Sequence, residues 1–237
     1  MKHVSLFGAL ALIASPLLFA INGTDVECQA EISWPDHDSR GLRVTRSEGE
    51  TLSLSLLKKP TDQTAQIRGH FEANEEVLGY SLEIDKTTHV VELKVRNSLV
   101  RTQLDEGEQI AWSRGDSDGG ASMTVRCIRG GSHHVDRETR FVVCAGASIK
   151  IGGPIGFRPR APRYQYLGKH VFSGGSNANT VSFGEWGLSF TGLFEKSAGT
   201  LEVGPNIFDL SIRPGKSFEV RSSMSDGGYD AIVCRAR

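Results

Sequence analysis

The chain is poor in what builds helical and membrane-spanning proteins. Methionine occurs three times against 27 glycines, and no long stretch repeats apolar residues at helical spacing. After residue 20 no apolar run approaches the roughly 20 residues needed to cross hydrocarbon, so the mature chain is expected to have no transmembrane segment. Neither charge sign is in excess: 27 Lys and Arg stand against 28 Asp and Glu, which gives no global argument for nucleic acid as a partner. Hydrophobic residues at 38% and charged residues at 23% exclude a disordered or coiled-coil chain. Cysteine is sparse, with four residues among 237.

The first twenty residues differ from the rest. Lys2 and His3 precede an apolar run from Val4 to Phe19, broken by Pro16 and followed by the small Ala20. A basic start, an apolar centre and a small exit residue form the layout of a secretory signal peptide, expected over residues 1–20. All four cysteines follow it, and an even count behind an export signal implies two disulfides in an oxidising compartment. A secreted, periplasmic or cell-surface location is expected.

An internal similarity helps to pair the cysteines. Residues 98–120 (SLVRTQLDEGEQIAWSRGDSDGG) align without gaps to 206–228 (NIFDLSIRPGKSFEVRSSMSDGG), so that Leu99 matches Ile207, Gly107 matches Gly215 and Trp112 matches Val220. Ser-Asp-Gly-Gly closes both pieces, and a short apolar strand then leads to Cys127 or Cys234. Cys28 and Cys144 open the two copies. This predicts Cys28–Cys127 and Cys144–Cys234, each tying the first strand of a copy to its last. The competing pairing joins Cys127 to Cys144 and Cys28 to Cys234.

The remaining pattern is β. Leu52–Leu57, Tyr80–Ile84, Val91–Val95 and Phe208–Ile212 alternate apolar with polar residues, the mark of a strand with one face buried. Turn signals stand at Glu48-Gly49-Glu50, Asp105–Glu108, Arg213–Lys216 and Asp118–Gly120. The expected fold is all-β: two tandem antiparallel sandwich or barrel-like domains related by the internal repeat. They span residues 21–132 and 138–237. Thr61 to Val77 is the best stretch for a short helix. Trp34, Trp112 and Trp186 are expected as core anchors.

Four groups of residues could carry function. The second domain contains a basic Pro- and Gly-rich loop at 153–170. From Ala147 to His170 there are five basic residues (Lys150, Arg158, Arg160, Arg163, Lys169) and no acidic one. Arg forks bind phosphate, sulfate or carboxylate and nearby rings such as Tyr164 can stack, so Arg158, Arg160, Arg163, Lys169 and Tyr164 form a polyanion-binding set. The paired turns offer Arg114, Asp116, Asp118 and Asp226 as contacts for calcium or a receptor; Arg114-Gly115-Asp116 is also the tripeptide read by integrins. His133, His134 and Asp136 form a histidine-rich cluster, and Asp36-His37-Asp38 a second polar one, but neither has a metal-ligand spacing.

Gly115-Asp-Ser-Asp-Gly-Gly120 resembles the nucleophile motif of chymotrypsin-like serine proteases over those residues alone. Asp118 interrupts the motif, and no histidine stands in that family's sequence context, so the chain of nucleophile, base and orienting acid has no members to fill it. No cofactor is expected. The sequence reads as an exported, non-enzymatic binding, adhesion or envelope-structural protein, its partner an unidentified protein or anionic glycan. The alternatives are a secreted hydrolase with an unrecognised site, or a subunit of a surface assembly.

Overall fold

The computed structural model describes residues 24–57, 61–115, 120–132, 139–150, 163–173, 179–183, 188–195, 197–203, 205–223 and 228–237. These residues form sixteen strands and no helix. The first eight are β1 (Asp25–His37), β2 (Arg43–Ser55), β3 (Thr64–Ala73), β4 (Glu76–Asp85), β5 (Val90–Val95), β6 (Ser98–Gln103), β7 (Gln109–Arg114) and β8 (Ser122–Arg129). The second eight are β9 (Phe141–Lys150), β10 (Arg163–Ser173), β11 (Asn179–Phe183), β12 (Leu188–Glu195), β13 (Ala198–Val203), β14 (Asn206–Ser211), β15 (Ser217–Ser223) and β16 (Tyr229–Ala236).

Alternation makes the strands and sets their inner faces. In β4, Leu78, Tyr80, Leu82 and Ile84 are at most 5% exposed, while Val77 and Glu83 point to solvent. Thr61 to Val77 is not helical: β3 fills most of it, with Ile67 and Ala73 buried between exposed Arg68, His70 and Glu72. A period of two over these ten residues overrides any helical preference.

The strands form two antiparallel eight-stranded sheets, in the orders β11-β12-β13-β14-β7-β8-β1-β2 and β10-β9-β16-β15-β6-β5-β4-β3. Each sheet draws four strands from each half of the chain. β1 lies against β3 and β4, and β10 against β11 and β12, so the sheets face each other as a sandwich. The halves are joined in both sheets by main-chain pairing, Phe208 opposite Trp112 in one and Val220 opposite Val100 in the other. Buried residues from both halves make one continuous core, in which Trp112 is 1% exposed and donates from Nε1 to Asn206 Oδ1 at 3.2 Å. Trp34 packs at the core's edge; Trp186 lies outside the described residues.

The disulfides are Cys28–Cys127 and Cys144–Cys234, the pairing the sequence similarity pointed to. Each joins directly opposed residues of neighbouring strands, β1 with β8 and β9 with β16. Glu48-Gly49-Glu50 is not a turn. Gly49 sits inside β2 opposite Glu31, where an added Cβ would lie 2.7 Å from the Ala30 carbonyl oxygen. Here glycine marks a close approach of two backbones rather than a reversal.

Elsewhere aromatic rings occupy the space that glycines leave. A Cβ on Gly199 would lie 2.1 Å from Ile212 Cδ1 and 2.6 Å from Phe194 Cδ1. Phe194 is itself wedged between Phe172 and Phe218, at centroid distances of 5.2 and 6.2 Å. Gly199→Ala therefore overpacks the core and is expected to cost ~1–3 kcal/mol. Thermal or denaturant unfolding measures this; a variant as stable as the parent would show that the ring has room to move.

Candidate functional site

The strand register sorts the strand ends to one end of the sandwich or the other. β7 ends at Arg114, opposite the first residue of β14, and β15 ends near Ser222, opposite the first residue of β6. The strand ends flanking both Ser-Asp-Gly-Gly turns are therefore at one end. β1 runs past its last partner in β8, Ser122, and continues with β2 as a hairpin arm from Trp34 to Arg46 at that same end. Ile149 of β9 pairs with Tyr229 at the start of β16, so Lys150 and Arg163, which flank the basic loop, lie there too. This is the display end. The opposite end holds the 104–108 and 212–216 crossovers between sheets, Asp25 and Arg237.

Of the residues singled out in the sequence, Arg114, Arg163 and Tyr164 belong to strand ends at the display end, and Arg114 is exposed. Lys169 is exposed on β10 but further along, paired with Ala145. Arg158, Arg160, Asp116, Asp118, Asp226, His133, His134 and Asp136 lie outside the described residues. The residues flanking the 133–138 segment are at the crossover end, whereas Asp36-His37-Asp38 is on the hairpin arm. Asp36 instead pairs with Arg46, and Asp38 Oδ1 accepts from the amides of Arg40 and Leu42 at 2.8 and 2.9 Å. These bonds, with Gly41 at φ +75°, fix the arm's tip and leave Arg40, Leu42 and Arg43 exposed.

A depression of about 590 Å³ lies on the outer face of the second sheet, where Gly79 has no side chain. Arg68, His70, Lys94 and Arg96 line it. Lys94 meets Glu92 at 2.8 Å and Arg96 meets Glu76 at 3.0 Å, so its positive charge is largely answered within the fold. Among the described residues, no three His, Cys, Asp or Glu side chains come together as a metal site.

Sequence reading missed the charged groups of the crossover end. Glu108 is fully buried and Lys216 is 9% exposed. The Lys216 ammonium meets the Glu108 carboxylate, Asp105 Oδ2 at 3.0 Å and the Gln103 carbonyl at 3.2 Å. Arg213 Nε lies 2.9 Å from Glu108 Oε1, and the Asp105 amide donates to Glu108 Oε2 at 2.7 Å. The signal was in the alignment: Asp105 and Glu108 stand at the positions matched by Arg213 and Lys216, acid against base each time.

A polar pair with one buried member sits near the β2–β3 edge. Tyr80 is 5% exposed and faces Glu50 across the sandwich; neither Tyr80 Oη nor Glu50 Oε1 has a well-formed hydrogen bond among the described residues. Burial, then the Glu50 charge, pushes the phenol's pKa well above its ordinary value.

No family model matches this chain, and no curated protein or solved structure shows significant similarity to it. Two disulfides suit an oxidising environment, and no described helix is long and apolar enough to cross a membrane.

The Tyr80 shift has a sign that can be checked. Above about pH 10 the unfolded chain loses a proton that the folded chain keeps. Stability present below that pH is therefore lost as pH rises from about 10 toward the folded pKa, at up to ~1.4 kcal/mol per pH unit from this group. Tyr80→Phe should flatten the alkaline limb of unfolding free energy against pH. An unchanged limb would assign the alkaline loss to other groups.

Proposed function

We propose that this is an exported, non-enzymatic binding protein, built from two related halves, that engages an anionic partner with the loops of its display end. One observation carries the reading: the strands flanking the basic loop, both Ser-Asp-Gly-Gly turns and the β1–β2 arm all end on the same side. Loops held on a rigid sheet scaffold are where binding residues concentrate. The sequence supplies Arg158, Arg160 and Arg163 in the basic loop, and the arm adds the exposed Arg40 and Arg43. Guanidinium groups at that spacing suit sulfate, phosphate or carboxylate arrays on an extended glycan. Correspondence between the halves supports a common origin. Both have the strand sequence of a hairpin in one sheet, four strands in the other, and a closing hairpin back in the first.

Assembly through an added strand is less well supported. The edge strand β3 turns Arg68, His70 and Glu72 outward, while β10 carries the exposed Lys169 and a register shift between Tyr166 and Gly168. Charges and bulges of this kind blunt sheet edges.

The test is retention on a heparin-like polyanion. Replacing Arg158, Arg160 and Arg163 by Gln should lower the salt needed for elution, and adding Arg40→Gln and Arg43→Gln should lower it further. Equal, salt-insensitive retention of parent and variants would remove the polyanion from the proposal.

A further inference from the structure

We infer that the two crossover turns form a charge-inverted lock, which fits the first half of this chain to its second half and rejects a like half. The inference rests on the observed correspondence of strands and contacts, and holds whether or not the halves share an ancestor.

The turns are built alike. Glu108 N donates to Asp105 O at 3.1 Å, and Lys216 N to Arg213 O at 3.0 Å. Gly107 and Gly215 hold the third position of each at φ +72° and +88°, and Pro214 holds the second position of the later turn, which are the demands of a type II turn. Each turn is tied to the last strand of its own half in the same way. Gly107 N donates to Arg129 O, and Arg129 N to Glu108 O; Gly215 N donates to Ala236 O, and Ala236 N to Lys216 O. The first and fourth side chains of the two turns therefore project from equivalent frames.

The charges at those equivalent positions are opposite. The first turn presents Asp105 and Glu108, the second Arg213 and Lys216, and the four meet where the halves join. The rest of the junction discriminates less sharply, its polar side-chain bonds between the halves, Trp112 Nε1 to Asn206 Oδ1 and the Gln109 amide to Ser211 Oγ, being uncharged. β6 with β15 and β14 with β7 pair through main-chain hydrogen bonds, and their inner residues Val100, Trp112, Phe208 and Val220 are all apolar. A first half could meet another first half through the same strands, but it would bring four carboxylates together with Glu108 buried. Two second halves would bring four cations together. Uncompensated buried charge is among the costliest defects a fold can contain, so the quartet can select the partner where backbone and apolar contacts cannot. The surface is thus the junction itself, and the excluded partner is a second copy of this chain offering the same half.

Charge exchange in the full-length chain tests this. Glu108→Lys and Lys216→Glu, each alone, should lower the melting temperature by roughly 10 °C. The fourfold exchange Asp105→Arg, Glu108→Lys, Arg213→Asp and Lys216→Glu should recover most of that loss, because each turn then carries the other's charges. If the single variants do not fold, the fourfold exchange still decides by whether it does. The neutral pair Glu108→Gln with Lys216→Met should refold, disulfides intact, into more dimers and larger species than the parent as concentration rises, read by size exclusion with light scattering. A fourfold variant no more stable than the single ones, or a neutral variant that refolds to the parent's species over the same concentrations, would overturn the lock.

Discussion

Glu108 has no access to water, and a carboxylate in that position must find its compensation inside the protein. Lys216 and Arg213 supply the charge, and the Asp105 amide supplies a hydrogen bond. Much of the architecture follows from satisfying this one group. To bring Lys216 to it, the 104–108 and 212–216 crossovers must lie at the same end, with β14 beside β7 and β15 beside β6. Once both crossovers share an end, β7 and β15 run away from it together. The turns that follow them then have to emerge on the far side.

That division separates two physical demands. The crossover end buries charge at short range and is ordered by tight turns and main-chain bonds. The display end takes the β1–β2 arm and the strand ends that flank the basic loop and both Ser-Asp-Gly-Gly turns. Loops carried there can change without disturbing the quartet, which lies a full strand length away. The Tyr80–Glu50 pair makes a contrast. Tyr80 is also buried and also faces a carboxylate, that of Glu50, and there the phenol holds its proton. One buried polar group is resolved by pairing and the other by holding its proton.

Much of this was legible in the residues. Period-two alternation gave the all-β class, and the gap-free match of 98–120 with 206–228 led to both disulfides. The errors came where one residue type serves two physical ends. In sequence Gly49 signals a reversal because glycine favours turns, but the same missing side chain admits the Ala30 carbonyl inside a paired strand. Thr61–Val77 reads as open to a helix because Gly69 interrupts an alternation that Ala65, Ile67, Phe71 and Ala73 carry. Sheet membership was not legible at all. Alternation reports which face of a strand is buried, and says nothing of which of two sheets receives it.

The quartet shows why an internal sequence match is more informative about contacts than about function. Equivalent residues in a two-fold arrangement approach one another only near its axis, so an acid matched by a base at an aligned position is a distinctive clue to the junction. Asp105 with Arg213 and Glu108 with Lys216 satisfy that condition within one four-residue turn. Matches elsewhere, such as Leu99 with Ile207, carry no such information, because apolar residues are interchangeable in a shared core. The opposite signs also mean that neither half is a sufficient partner for its own copy. In the joined chain Asp105, Glu108, Arg213 and Lys216 each meet a charge of opposite sign.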